Sequence, residues 1–187
     1  FSTTVSDYFT DPTAAKFTNT SNSPYYGTPG IWQTQLVTDM SNTFKNQTTF
    51  NTDISGWDTS AVTNMESMFE GATSFNQPIR GWDVSNVTNM KNMFKNATSF
   101  QQALGNQNRF GELWDVSNVT TMEGMFSGVN VSFSMEYWNL QNVLNMSYMF
   151  ANAVITSSSF YHYWSNYKNW TVTDMSYMFA EIGRAHV

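Results

Sequence analysis

The sequence predicts an α/β repeat solenoid, a stack of about six coils of roughly 25 residues, each a short strand plus a short helix. Three observations predict it. A phrase returns nearly unchanged, as GWDTSAVTNMESMF at 56–69 and GWDVSNVTNMKNMF at 81–94. Its apolar residues fall at helical spacing. Between these phrases the apolar spacing changes to that of an extended chain.

Each place in the repeat is counted from a tryptophan set at zero. Trp32, Trp57, Trp82, Trp114 and Trp138 open five coils, and Tyr167 opens a sixth. Place 5 is always Val (Val37, Val62, Val87, Val119, Val143, Val172), place 8 always Met and place 12 always Phe. Place 11 is Met except at Thr43. Val, Met, Met and Phe at i, i+3, i+6 and i+7 form one stripe on a helix. Threonine stands just before it at Thr38, Thr63, Thr88, Thr120 and Thr173, where a hydroxyl caps free N–H groups. Thr63 with Glu66, and Thr120 with Glu123, fit a capping box. Place 14 holds only Asn or Gly (Asn46, Gly71, Asn96, Gly128, Asn152), the residues that end a helix in the left-handed conformation. The extended arms follow, with Phe50 and Ile54, Phe75 and Ile79, and Phe100 and Leu104 on one face. Gly56 and Gly81 bend the chain into the next tryptophan. One such unit cannot cover its own apolar face, so each copy supplies the lid of its neighbour.

Residues 31–180 form the repeat region. Residues 1–30 precede it as a cap or linker, with the turn-rich TNTSNSPYYGTPG at 18–30. The last seven residues, EIGRAHV at 181–187, resemble the translation of a sequencing-adapter read. Glu181 also breaks the Asn/Gly rule of place 14. On that reading the natural chain continues past Ala180. Coil 3 is seven residues longer than the norm, through GNQNRFGE at 105–112. Coil 5 is four longer, through SSSFYHYWSNYKNW at 157–170. Coil 4 is one shorter, with Phe133 a place late. Such insertions emerge as loops, either through drift in length or as a contact patch.

The repeat resembles the BspA-like leucine-rich-repeat surface proteins, in the branch grouped as a mycoplasma-lipoprotein-type domain of unknown function. Residues 50–100, LWDVSNVTTMEGMFSG and LQNVLNMSYMFANA carry the resemblance. It implies a leucine-rich-repeat-like stack displayed outside the cell, a role in adhesion, and no catalytic residues.

Composition narrows the function. A net charge of −6 opposes nucleic-acid and anionic-membrane partners, because both need Lys and Arg on phosphates. The absence of Cys excludes disulfides, thiolate chemistry and Cys-based zinc sites. No apolar run is long enough to span a membrane. His162 sits in the coil 5 insertion without a triad partner at any recognisable spacing. Asp58, Asp83 and Asp115 recur at place 1, either as a calcium column or as turn-forming side chains. Asn-x-Ser/Thr sequons fall at Asn19, Asn46, Asn86, Asn96, Asn118, Asn130, Asn145 and Asn169. They are either glycan acceptors or a by-product of an Asn/Ser/Thr-rich repeat.

No catalytic, cofactor-binding or metal-ligating residue is assigned, and no ligand contact is identified. The expected function is a non-enzymatic extracellular or cell-surface domain that binds a protein or glycan, as part of a longer repeat chain. The alternative is a structural spacer or cell-coat element without a ligand. A polysaccharide-acting enzyme would need carboxylates converging beside Arg80, Lys91 or Arg109.

Overall fold

The computed structural model describes residues 28–104, 114–132, 138–156 and 171–182. Successive repeats lie side by side. Parallel bridges join place 7 of one coil to the next, from Asp39 through Asn64, Asn89, Thr121 and Asn145 to Asp174. Among the described residues there is no α-helix. Two short strands, β1 (Asn130–Val131) and β2 (Val154–Ile155), pair in parallel. The expected α/β fold of strand-plus-helix coils is therefore wrong for this chain.

The backbone shows why. The stretch expected to be a two-turn helix is a run of tight turns, with positive φ at both place 10 and place 14 of every coil, from 52° at Glu181 to 72° at Gly128. The N–H groups at places 8, 10, 12 and 14 leave the coil. They donate to carbonyls one place earlier in the next coil, as in Met65 to Asn89 (2.9 Å), Ser67 to Lys91 (2.8 Å), Phe69 to Met93 (2.8 Å) and Gly71 to Lys95 (2.8 Å). The same four bonds recur at all five junctions. The intervening N–H groups stay local. Those at places 11 and 13 close turns on carbonyls three residues back, as in Met68 to Met65 and Glu70 to Ser67. That of place 9 meets the side chain of place 7, as in Glu66 to Asn64 Oδ1 (3.1 Å) and Lys91 to Asn89 Oδ1 (3.0 Å). A two-turn helix would leave four N–H and four C=O groups without partners. In coils 1 to 5 the alternation gives every N–H from place 8 to place 14 an acceptor, three within the coil and four across it.

The threonines at place 6 do not cap a helix. Thr63, Thr88, Thr120 and Thr173 each donate both N–H and hydroxyl to the place 6 carbonyl of the preceding coil. The capping boxes are absent too: Glu66 accepts from Asn89 Nδ2 (3.0 Å) and Glu123 from Asn145 Nδ2 (3.3 Å). Gly56 and Gly81 have open space where a side chain would be, so the bend there does not require glycine.

Inside the stack, like side chains pile on like. The place 12 rings Phe44, Phe69, Phe94, Phe126, Phe150 and Phe179 stack at 5.5 to 5.9 Å. Trp32, Trp57 and Trp82 stack at 6.1 and 6.2 Å. A third column, Phe50, Phe75 and Phe100, packs on the place 12 rings of its own coils at 3.8 to 4.2 Å. Each ring fully withdrawn from water contributes about 1.5–3 kcal/mol. The indole N–H groups of Trp57, Trp82, Trp114 and Trp138 are satisfied: Trp82 donates to the Ile54 carbonyl (3.2 Å), Trp114 to that of Ile79 (3.1 Å) and Trp138 to that of Leu104 (3.4 Å). Trp57 donates to Pro29 (2.7 Å), in the short 3-10 turn Pro29–Ile31. Beyond Phe100 the third column gives way to β1 and β2, which bury Val131 and Ile155.

Candidate functional site: the turn face

With the core closed by these columns, the functional candidates lie on the side chains of places 9, 10, 13 and 14. This turn face is held together by cross-coil pairs. Lys45 meets Glu70 at 2.9 Å and Lys91 meets Glu123 at 3.0 Å. Burial pushes the Glu70 carboxyl up. The Ser67 hydroxyl, the Lys45 ammonium and the more distant Lys95 outweigh it, and the group settles below its ordinary value.

Place 10 runs along this face as Asn42, Ser67, Asn92, Gly124, Tyr148 and Tyr177. The first four are small, and Asn and Gly among them tolerate the left-handed region. The two tyrosines do not fit that rule, yet hold φ of 58° and 55°. A bulky side chain there is an outlier. Their rings stack at 5.0 Å and 14°, and remain 45% and 65% exposed. Beside Tyr148 lies a shallow hollow of about 350 Å³, floored by Gly124 and Ser127 and bordered by Asn92, Lys95, Glu123 and Asn152. A larger hollow, about 720 Å³, opens between Gln33 and Asn42, but one coil alone lines it.

The other sequence candidates divide. Asp58, Asp83 and Asp115 are turn-forming. Each accepts the N–H two residues on at 3.0 Å. The Ser60 hydroxyl and N–H hold the Asp58 carboxyl below its ordinary range. Among the described residues no three acidic or histidine side chains are grouped to hold a metal ion. The sequon asparagines at Asn86 and Asn118 use Nδ2, the atom a glycan would occupy, to bond carbonyls of the preceding coil at 2.8 and 2.7 Å. Asn46 and Asn96 lie over Gly71 and Gly128, with Oδ1 2.5 and 2.4 Å from where a β-carbon on each glycine would sit. His162, Arg109, Phe133, both insertions, the sequons Asn19 and Asn169, and most of the cap and tail lie outside the described residues. Glu181 and Ile182, the first two residues of the tail, continue the last turn, with Ile182 packed on the core.

Residues 13–111 and 107–185 match the family described as Mycoplasma protein of unknown function, DUF285. The chain belongs to this family. The two matches together take in every described residue, so the turn face is a DUF285 surface. The family description assigns no activity and no site residue to it. No curated protein matches the chain. No solved structure matches it. The expected BspA-like, leucine-rich-repeat attribution gains no support from these matches. Among the described residues of this DUF285 chain no helix is long and apolar enough to cross a membrane.

Tyr148 and Tyr177 were not singled out by the motifs. The signal was available: place 10 departs from Asn, Ser and Gly only in these two coils.

Proposed function

We propose that the chain is a non-enzymatic repeat domain, displayed outside the cell, that binds a protein or glycan ligand through its turn face. One observation carries the reading. Two large aromatic side chains are kept exposed and stacked at backbone positions that disfavour them, beside a hollow. Strain maintained at a surface site points to use of that site. The low charged fraction supports a hydrogen-bonding surface over an ionic one. The resemblance of the repeat to BspA-like surface proteins supports extracellular display. The Lys91–Glu123 pair is an inter-coil tie on a shallow surface, which favours binding over an enzymatic cleft.

The test is to label the 187-residue chain and measure binding to intact cells and to glycan and protein arrays. Saturable binding, weakened by Tyr177→Ala, is the expected result. A folded chain that binds neither cells nor arrays overturns the proposal. The reading as a spacer then stands, supported by the unbroken backbone ladder across all five junctions.

A further inference from the structure

We infer that the hollow beside Tyr148 is a subsite for one neutral pyranose ring, stacked on the open face of that ring. The inference rests on the binding role proposed above and names its ligand class.

Tyr177 covers one face of the Tyr148 ring, at 5.0 Å and 14°. The opposite face points back along the stack towards coil 4. There place 10 is Gly124, which has no side chain to cover it. The next member of the column, Asn92, leans forward over the glycine, and a β-carbon on Gly124 would sit 2.3 Å from Asn92 Oδ1. The Asn92 amide therefore fills the place of the missing side chain, and an opening lies over it, bordered by Tyr148. This opening coincides with the 350 Å³ hollow.

The walls select the ligand. One wall is an aromatic face, suited to the C–H face of a sugar ring. The border holds amides at Asn92 and Asn152, a carboxylate at Glu123 and an ammonium at Lys95. These groups offer donors and acceptors together, which matches hydroxyl groups that are both. A purely apolar ring would remove these groups from water without partners, which is costly. An anionic sugar is disfavoured because the Glu123 carboxylate stands on the same border as the Lys95 ammonium and the chain carries a net charge of −6.

The experiment titrates the 187-residue chain with cellotetraose, chitotetraose, lactose and, as the anionic comparison, sialyllactose, using saturation-transfer NMR and calorimetry. Wild type binds at least one neutral oligosaccharide. Tyr148→Ala, which removes the wall, weakens it at least tenfold. Lys95→Ala, which removes a bordering donor, weakens it about threefold or more. Tyr148→Phe, which keeps the stacking face, stays within about threefold. Circular dichroism matching wild type shows that the variants fold. If Tyr148→Ala and Lys95→Ala bind the oligosaccharide as wild type does, the subsite is overturned and the binding role stands. A preference for sialyllactose overturns the neutral class. Binding to cells with none to any neutral oligosaccharide overturns this inference alone, whereas binding to nothing overturns the proposed function as well.

Discussion

In coils 1 to 3 the left-handed places hold Asn42 and Asn46, Ser67 and Gly71, then Asn92 and Asn96; in coils 5 and 6 they hold Tyr148 and Asn152, then Tyr177 and Glu181. The backbone is the same in both regions, with φ between 52° and 70°. The side chains are not. Asn and Gly adopt this conformation at little cost, whereas a residue such as Tyr loses about 1–2 kcal/mol. The difference shows that local preference does not set the turn. The cross-coil ladder does. Tyr148 N–H still donates to the Ser176 carbonyl at 3.0 Å, as Asn92 does to Glu123 at 2.7 Å. A ladder that enforces its geometry frees the later coils to carry side chains chosen for other work.

The largest expected effect tests whether the shared columns hold both regions. Phe94 is fully buried, ringed by Phe69, Phe100, Trp114 and Phe126. Phe94→Ala is expected to cost about 3–5 kcal/mol in urea denaturation. Phe179→Ala, at a ring that is 46% exposed in coil 6, is expected to cost about 1 kcal/mol. Equal costs would mean that the columns are not the unit of stability.

Next is the enforced conformation itself. Gly71 has φ of 70°, and a β-carbon there would meet Asn46 Oδ1 at 2.5 Å. Gly71→Ala should cost about 1–2 kcal/mol, read from the thermal midpoint. Gly56→Ala, in open space, should change stability by less than about 1 kcal/mol in either direction. A harmless Gly71→Ala would break the claim that the ladder fixes the turns.

The columns were legible in the sequence and the backbone was not. Val62, Met65, Met68 and Phe69 are all fully buried, as their recurrence demanded. The same four places fit a helix because apolar residues three and four apart suit it as well as turns repeating every four residues. Two signals distinguish the cases. Asn or Gly occupies place 10 as well as place 14 at Asn42, Asn92 and Gly124, in the middle of the supposed helix. Place 7 holds side chains that take the N–H two residues on, such as Asn64, Asn89 and Asn145. The ladder is invisible in any single coil, because its acceptors lie about 25 residues away in the next. The candidate site was hidden for a related reason. Tyr148, Gly124 and Asn92 become neighbours only once coils 3, 4 and 5 are stacked.

A smaller effect sharpens the contrast at place 10. Tyr148→Asn gives coil 5 the residue used in coils 1 and 3. Relief of the left-handed strain, about 1–2 kcal/mol, opposes loss of the ring stack, about 0.5–1.5 kcal/mol. Stability should therefore stay within about 1 kcal/mol of wild type although an aromatic pair is deleted. Binding of the labelled chain to cells and arrays should fall. A large loss of stability would make the tyrosine pair part of the scaffold instead.

The smallest effect concerns the charges that tie coils 1 and 2 on the same face. Glu70 lies below its ordinary value of 4.5 when folded. Burial opposes this, but the Ser67 hydroxyl and Lys45 ammonium prevail. A carboxyl depressed in the folded chain binds its proton more weakly there than when unfolded. Its contribution is thus complete above the ordinary value and is lost as pH falls through the folded one. Stability should be flat from neutral pH down to about 5 and decline below 4.5. Asp39, Asp53, Asp58 and Asp174 are also depressed and should deepen that decline below 3.8. Glu70→Gln should remove about 0.2–1 kcal/mol at neutral pH, within the range for partly exposed pairs. It should also flatten the upper part of the acid limb, and added salt should shrink the difference from wild type. An acid limb that Glu70→Gln leaves unchanged would show that this pair sits on the ladder without supporting it.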